Sequence, residues 1–324
     1  MCRATLASSV ALTGLALVSG CTGAPPPAVP ATAHLTVTVL ESETGRTTPV
    51  RVLIATGDGS PAVAPDEAIA VMYGQNDQAQ GFESQPDGAF YVDGRFEIDL
   101  VPGTWHLSIS KGNEYLSQGH ELTLGAGEEM SRTYRLERWV DMPARGWYSA
   151  DDHIHVRRSP RENPLILKWV AAEGVHVGAL LQMGDFWSDS YFTQYAWGQD
   201  GVYQVEDHLL TSGQEEPRTP ALGHTISMAA DEFVRFQGEY YHYDRVFDRV
   251  RERGGVAGYA HQATSFYFRG HRGMTLDVLR NKVDFVEVLQ FCGGFTTEVM
   301  RTQSYYHFLD LGFRLTATAG SDFP

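Results

Sequence analysis

The spacing of apolar residues in this chain changes its period once, and that change limits the folds open to it. From His34 to about Arg138 they recur at every second position, in His34–Leu40, Pro49–Ala55, Arg95–Val101, Thr104–Ser110 and Ser131–Leu136, with a weaker run at Glu67–Tyr73. Successive side chains of a strand point to opposite faces, so each run can bury one face. Turn-forming clusters such as Gly57-Asp58-Gly59 and Pro102-Gly103 separate the runs. Several short half-buried strands joined by turns predict an all-β sandwich. After Trp139 helical runs alternate with short apolar strands. Helices are expected from Asn163-Pro164 to about Glu173, stopped by Gly174, and from Tyr243 to Arg253, closed by Gly254-Gly255. Two more are expected from Met274 to about Lys282 and from Thr297 to Leu311, stopped at Gly312. Strands are expected over Val175–Met183, Val256–Ala260, Asp284–Phe291 and Phe313–Thr318. Helices interleaved with buried strands predict βα units on a parallel sheet or barrel. The expected division is therefore multidomain: a sandwich over 34–138 and an α/β region over 139–324.

Ahead of the first strand, residues 1–20 read as a secretory signal, with Arg3 followed by the apolar run Val10–Val18. That run is too short to span a bilayer comfortably. It ends in Val18-Ser19-Gly20-Cys21, which resembles a bacterial lipobox. The resemblance implies that Cys21 becomes a lipidated N-terminus and that the protein is lipid-anchored in the bacterial cell envelope, facing the periplasm or exterior. Residues 21–33, rich in Pro and Ala, would be a semi-extended tether. With Cys21 modified, Cys292 is the remaining thiol of the mature chain, so no internal disulfide framework is expected. The net charge of −15 over 324 residues argues against nucleic-acid binding and against electrostatic docking on anionic lipid. Contact with a membrane is thus expected through the N-terminal lipid only.

The chemistry concentrates around Asp151-Asp152-His153-Ile154-His155. In a strand Asp151, His153 and His155 share one face, so two imidazoles can grip one divalent ion while a nearby carboxylate orients one of them. Further on, ends of expected strands deliver Asp185, His261 and Asp322, and the stretch between supplies Glu215, Glu216, Arg218 and His224. Catalytic groups of αβ barrels gather at the C-terminal ends of strands. Three histidine-bearing segments and several acids at such ends are hard to ascribe to core packing. His106, His120 and His176 read as structural, and His208, His242 and His307 as surface residues.

In this ordered series residues 139–324 resemble the PHP (polymerase and histidinol phosphatase) superfamily of metallohydrolases, and more narrowly its CehA/McbA-type members. The Asp-x-His-x-His opening matches Asp151, His153 and His155, and the Gly-x-Glu matches Gly213-Gln214-Glu215. The histidine of the next strand matches His224, the Ala-His pair matches Ala260-His261, and the closing Gly-Ser-Asp matches Gly320-Ser321-Asp322. Where the family has Thr-Asp-His this chain reads Met183-Gly184-Asp185-Phe186, and the usual Asp-x-His ending is absent. The segment Gly94–Gly112 resembles small transthyretin-like or carboxypeptidase-regulatory sandwiches. The expected fold is an all-β sandwich followed by an α/β PHP-type barrel. That barrel would be distorted, and incomplete if the chain is a fragment, since 139–324 is shorter than the roughly 200 to 250 residues of a closed barrel.

The resemblance implies two or three divalent ions, with His153, His155, Asp185, Glu215, His224, His261 and Asp322 as ligands and Glu215 as a bridging carboxylate. Mixed imidazole and carboxylate ligands suit Zn, Mn or Fe. Arg218 would stabilise charge developing on the attacked oxygen, and His271, in the loop after His261, would be a substrate contact or acid–base group. Arg157 either holds an anionic substrate group or pairs with a nearby carboxylate. The aromatic insertion with Trp187, Tyr191, Phe192 and Trp197 is either a lid or a satellite core. The expected activity is hydrolysis of an ester, carbamate or amide bond in a small-molecule substrate by metal-activated water, with a phosphoester as the alternative. The alternative from another class is a non-catalytic surface lipoprotein whose sandwich binds a glycan or a protein partner.

Overall fold

The computed structural model describes residues 31–73, 80–82, 85–261, 272–290 and 302–323. The signal segment, Cys21, most of the tether, His271, Cys292 and the start of the fourth expected helix lie outside these residues. Among the described residues no helix is long and apolar enough to cross a membrane.

Two sheets form the first part. In one, β1 (Ala33–Glu41) lies between β6 (Arg95–Leu100), antiparallel to it, and β9 (Glu129–Leu136), parallel to it. In the other, β5 (Phe90–Val92), β2 (Val50–Thr56), β7 (Gly103–Ser110) and β8 (Gln118–Leu124) are all antiparallel. A short antiparallel pair, β3 (Val71–Tyr73) and β4 (Gln80–Phe82), stands apart. Leu35, Val37 and Val39 of β1 join Val52 and Ile54 of β2, Phe96 of β6 and Leu107 and Ile109 of β7 in one buried core. Burying such a side chain contributes about 1.5–3 kcal/mol. The every-second-residue spacing is thus the inner face of a sandwich. No strand is predicted at β8, because it is polar over Gln118–Glu121 and sends only Leu122 and Leu124 into that core.

The second part is one sheet in the order β10 (Ala150–Ile154), β11 (Val177–Met183), β13 (His208–Thr219), β14 (Gly223–Met228), β15 (Val256–Tyr259), β16 (Phe285–Gln290), β17 (Thr316–Gly320). β12 (Tyr203–Val205) pairs with the outer length of β13. Pairing is parallel except where β14 meets β13 and β15. The path comes nearly full circle: the His155 N–H donates to Phe323 O at 2.7 Å, and the Ser321 N–H to Asp151 Oδ1 at 3.0 Å. The result is mostly β, a nearly closed barrel-like sheet with few helices, where the sequence predicts regular βα units. Antiparallel neighbours need only a turn, whereas parallel ones need a crossover of a dozen residues or more. β13 and β14 are joined by residues 220–222 alone. No strand is predicted over β13, because Gly213 and Pro217 punctuate it. Pro217 falls where the register shifts between Glu215 and Arg218, a place where a missing ladder N–H is tolerated.

α1 (Asn163–Ala172), α2 (Tyr243–Glu252), α3 (Arg272–Leu279) and α4 (Gln303–Asp310) lie close to the expected positions. In α2, Tyr243, Val246, Phe247 and Val250 make the apolar stripe at helical spacing, and they pack with Val286 and Val288 of β16. The alternate residue Phe285 faces the other way, into a core with Ala179, Leu181, Ile226 and Ala260. Sandwich and barrel-like sheet meet closely. Tyr91 of β5 packs edge-on against Trp169 of α1, and Lys111 donates to the carbonyls of Pro49 and Ala171 at 3.3 and 3.2 Å. At Gly112 a Cβ would lie 2.6 Å from the Gly174 Cα, so the two backbones touch where a side chain would part them.

Candidate metal centre

All strands of the second sheet except β14 and β12 run in one direction, and β14 begins at the rim where the others end. The end of β10 therefore brings His153 and His155, β13 brings Glu215, the start of β14 brings His224, the residue after Tyr259 in β15 is followed by His261, and Asp322 follows β17. His153, His155, Glu215, His224 and His261 are each less than a tenth exposed. The Nε2 atoms of His153 and His155 face one another at 3.1 Å, and Asp322 Oδ1 lies 3.1 Å from the first and 3.3 Å from the second. Glu215 Oε2 is 3.3 Å from His155 Nε2. Its other oxygen, Oε1, is 2.5 Å from His224 Nδ1 and 3.3 Å from His261 Nε2. Two groups that could hold a metal ion result, His153–His155–Glu215 and Glu215–His224–His261, with Glu215 in both.

The electrostatics suit cations. Burial by itself would lower the basicity of His153, but the carboxylates of Glu287 and Asp322 outweigh it and hold the imidazole well above its ordinary value. His155 is likewise raised against its burial, by hydrogen bonds to Asp322 and Glu215. Burial would raise the Glu215 carboxyl, yet the Arg218 guanidinium, with Nε 3.7 Å from Oε2, leads the groups that hold it well below the carboxylate range. Asp322 is lowered against burial by His153 and by hydrogen bonds from both imidazoles. Burial pushes His224 down to about 4, so it offers a neutral imidazole. Anionic carboxylates and imidazoles that cling to protons in a buried pocket form a set that a divalent ion would satisfy.

One carboxylate of the cluster is absent from the sequence reading. Glu287, on β16, has both oxygens on His153 Nδ1, at 3.2 and 3.3 Å, and one also accepts the His261 backbone N–H. The available signal was a lone acid in the apolar run Phe285–Leu289, in phase with the inward-facing Phe285. Asp151 shares a face with the histidines but turns its Oδ1 to the backbone N–H groups of His153 and Ser321, both at 3.0 Å. Asp185 is in neither group: Oδ1 accepts from the N–H groups of Trp187 and Ser188, and Oδ2 from the Tyr191 hydroxyl, so its carboxylate is spent on a turn. Glu216 points away from the cluster, to Arg235 at 2.7 Å and the Tyr240 hydroxyl at 3.1 Å. Arg157 lies 3.7 Å from Glu162. Of the aromatic insertion, Phe192 stacks obliquely on His155 with centroids 5.1 Å apart, while Trp187 is exposed. His176 is buried and bonded to Ser149, and it stacks on a half-buried His208 rather than leaving that residue on the surface.

No family model and no curated protein matches the chain. Among solved structures, it is similar to a two-domain protein from Bacteroides vulgatus described as containing a predicted PHP-like metal-dependent phosphoesterase, at 14% identity and a TM-score of 0.38. That similarity covers 54% of this chain and 52% of the neighbour. The Bacillus anthracis TIE protein shares 11% identity over 33% of this chain and 17% of its own, with a TM-score of 0.22. The major pilin subunit BcpA of Bacillus cereus shares 10% over 34% and 31%, also with a TM-score of 0.22. The chain thus spans about half or less of each of these structures. At these values none of them equates the folds, and the functional reading below rests on this chain's own residues.

Proposed function

We propose that the protein is a metal-dependent hydrolase of PHP type. The observation that carries this reading is Glu215, a buried carboxylate whose two oxygens each complete a separate metal-competent group. His153, His155 and Asp322 would hold one divalent ion, His224 and His261 a second, with Glu215 shared. The fit is supported by the paired Nε2 atoms of His153 and His155, which face each other at 3.1 Å beside two carboxylates. Divalent ions at such a site act as Lewis acids and lower the pKa of a water towards neutrality. The chain's own groups then position the substrate. Arg218, half-buried at the rim, would receive charge developing on the attacked oxygen. Phe192 forms an apolar wall beside His155 that excludes water from that side. His271, which follows His261 along the chain, remains our proposal for a substrate contact or acid–base group. The bond cleaved, by the CehA/McbA resemblance, is an ester, carbamate or amide. A guanidinium next to the cluster also suits a phosphoester, so the substrate panel must carry both.

The test is the metal content of purified protein by elemental analysis, with hydrolysis of p-nitrophenyl acetate, a p-nitrophenyl carbamate and p-nitrophenyl phosphate. Wild-type protein should retain Zn, Mn or Fe in stoichiometric amount. The double variant His153→Ala, His155→Ala should lose metal and activity together, while His176→Ala keeps both. Full occupancy in a folded double variant would sink the reading.

A further inference from the structure

We propose that Glu287 is the positioning residue of this centre, a single carboxylate that sets both metal-competent groups at once; this rests on the hydrolase reading above. Glu287 is 1% exposed, and Phe285, two residues before it on the inward face of β16, lies in an apolar core. A buried carboxylate can only accept hydrogen bonds, so His153 Nδ1, at 3.2 and 3.3 Å from its oxygens, must carry the proton. When the ring is neutral its tautomer is thereby fixed, with Nε2 as the lone-pair atom on the side of His155 and Asp322. An outer carboxylate that orients a ligating imidazole also raises its basicity.

The same side chain reaches the second group through the backbone. His261 has φ of +28°, a conformation that non-glycine residues rarely adopt. Its N–H donates to Glu287 Oε2. That charge-assisted bond holds the strained residue so that its ring meets Glu215 Oε1 at 3.3 Å. Glu287 therefore grips a ligand from β10 by its ring and a ligand after β15 by its main chain. The two acids that precede His153 on β10 do neither. Asp151 is bonded to backbone N–H groups, and Asp152 lies beside the Thr318 hydroxyl. Gly320 supplies the room: a Cβ there would lie 2.3 Å from Glu287 Oε1 and 2.4 Å from the His153 Cβ.

Glu287→Gln and Glu287→Ala test this in the full chain, with Zn2+ as probe in competition with a chromophoric chelator. The imidazole nitrogens of the metal-free protein are followed by long-range 15N–1H NMR at alkaline pH, where the ring carries a single proton. Glutamine keeps the shape and an acceptor for the His261 N–H but removes the charge. Zinc affinity should fall about 10–100-fold in Glu287→Gln, and His153 should change from one tautomer to a mixture. Glu287→Ala should weaken both zinc-binding steps; if it fails to fold, the glutamine variant decides alone. A purely structural role would lower the melting temperature while leaving zinc affinity and the His153 tautomer as in wild type, and that result overturns the assignment. Wild-type protein that holds no zinc overturns the hydrolase reading and this one with it, whereas unchanged affinity in a folded Glu287→Gln overturns this one only.

Discussion

Gly320→Ala tests the packing behind the cluster without removing a polar group. Gly320 ends β17, and its missing side chain leaves space bounded by Glu287 Oε1 at 2.3 Å, the His153 Cβ at 2.4 Å and Asp152 Oδ1 at 2.7 Å from where a Cβ would stand. Real Cβ atoms do not come closer than 3.0 Å, so Glu287 Oε1 must retreat by at least 0.7 Å (3.0 minus 2.3). None of the three neighbours can swing into solvent, since His153, Glu287 and Asp152 are 0%, 1% and 6% exposed. Forcing a methyl into a closed space of this kind costs about 1–3 kcal/mol. The displaced atoms are also those that aim His153, so zinc affinity should fall in the same variant. The assay is the denaturant midpoint of metal-free protein, followed by zinc competition. Gly119→Ala is the control: it lies on β8, exposed, with nothing within 4 Å of a Cβ. It should remain within about 0.5 kcal/mol of wild type. Equal stability and equal zinc affinity for Gly320→Ala and wild type would refute the reasoning.

Metal binding should be proton-coupled. His153 and His155 hold protons above their ordinary value in the metal-free site, while Glu215 and Asp322 stay ionised. A divalent ion must displace the imidazolium protons, so apparent affinity should fall by about tenfold per pH unit for each proton released as pH drops; zinc affinity that is flat between about pH 5 and 8 contradicts this. We propose that the sandwich is a folding unit, because its main core draws only on residues from Ala33 to Leu136; a fragment from Ala33 to Arg138 should give an all-β circular dichroism spectrum, and a random-coil spectrum argues against the boundary. The lipobox-like Val18-Ser19-Gly20-Cys21 leads us to expect that Cys21→Ser releases the protein from the membrane fraction in cells; retention on the membrane counts against lipidation.

Legibility of the fold in the sequence follows how local each signal is. The sandwich strands show as period-two runs, because their inner residues Leu35, Val37, Val39, Val52 and Ile54 mostly alternate with half-buried neighbours. α2 shows for the same reason at helical spacing, and α1 through Asn163-Pro164 at its start and Gly174 after its end. β13 does not, since a strand buried on both faces and broken by Gly213 and Pro217 has no alternation to read. The cluster follows the same rule. Histidines in recurring short motifs can be seen one at a time, and His153, His155, Glu215, His224, His261 and Asp322 do converge. Asp185 shows the limit, because a carboxylate after a strand is also what an Asx-type turn requires, and only the turn's N–H groups reveal which use it serves. Glu287 could not be placed from the chain alone: its partner His153 is 134 positions away, and only the meeting of β10 with the inner face of β16 brings them together.

The direct turn between β13 and β14 has a consequence for how such a protein can change over generations. Glu215 and His224 are held on paired strands, so the distance between them is set by a ladder and not by the composition of a long loop. The segments around them, 184–201 and 229–242, are mostly irregular and carry the aromatic side chains Phe186, Trp187, Phe192, Trp197, Phe236, Tyr240 and Tyr241. Inheritance can rewrite those segments while the frame beneath stays fixed.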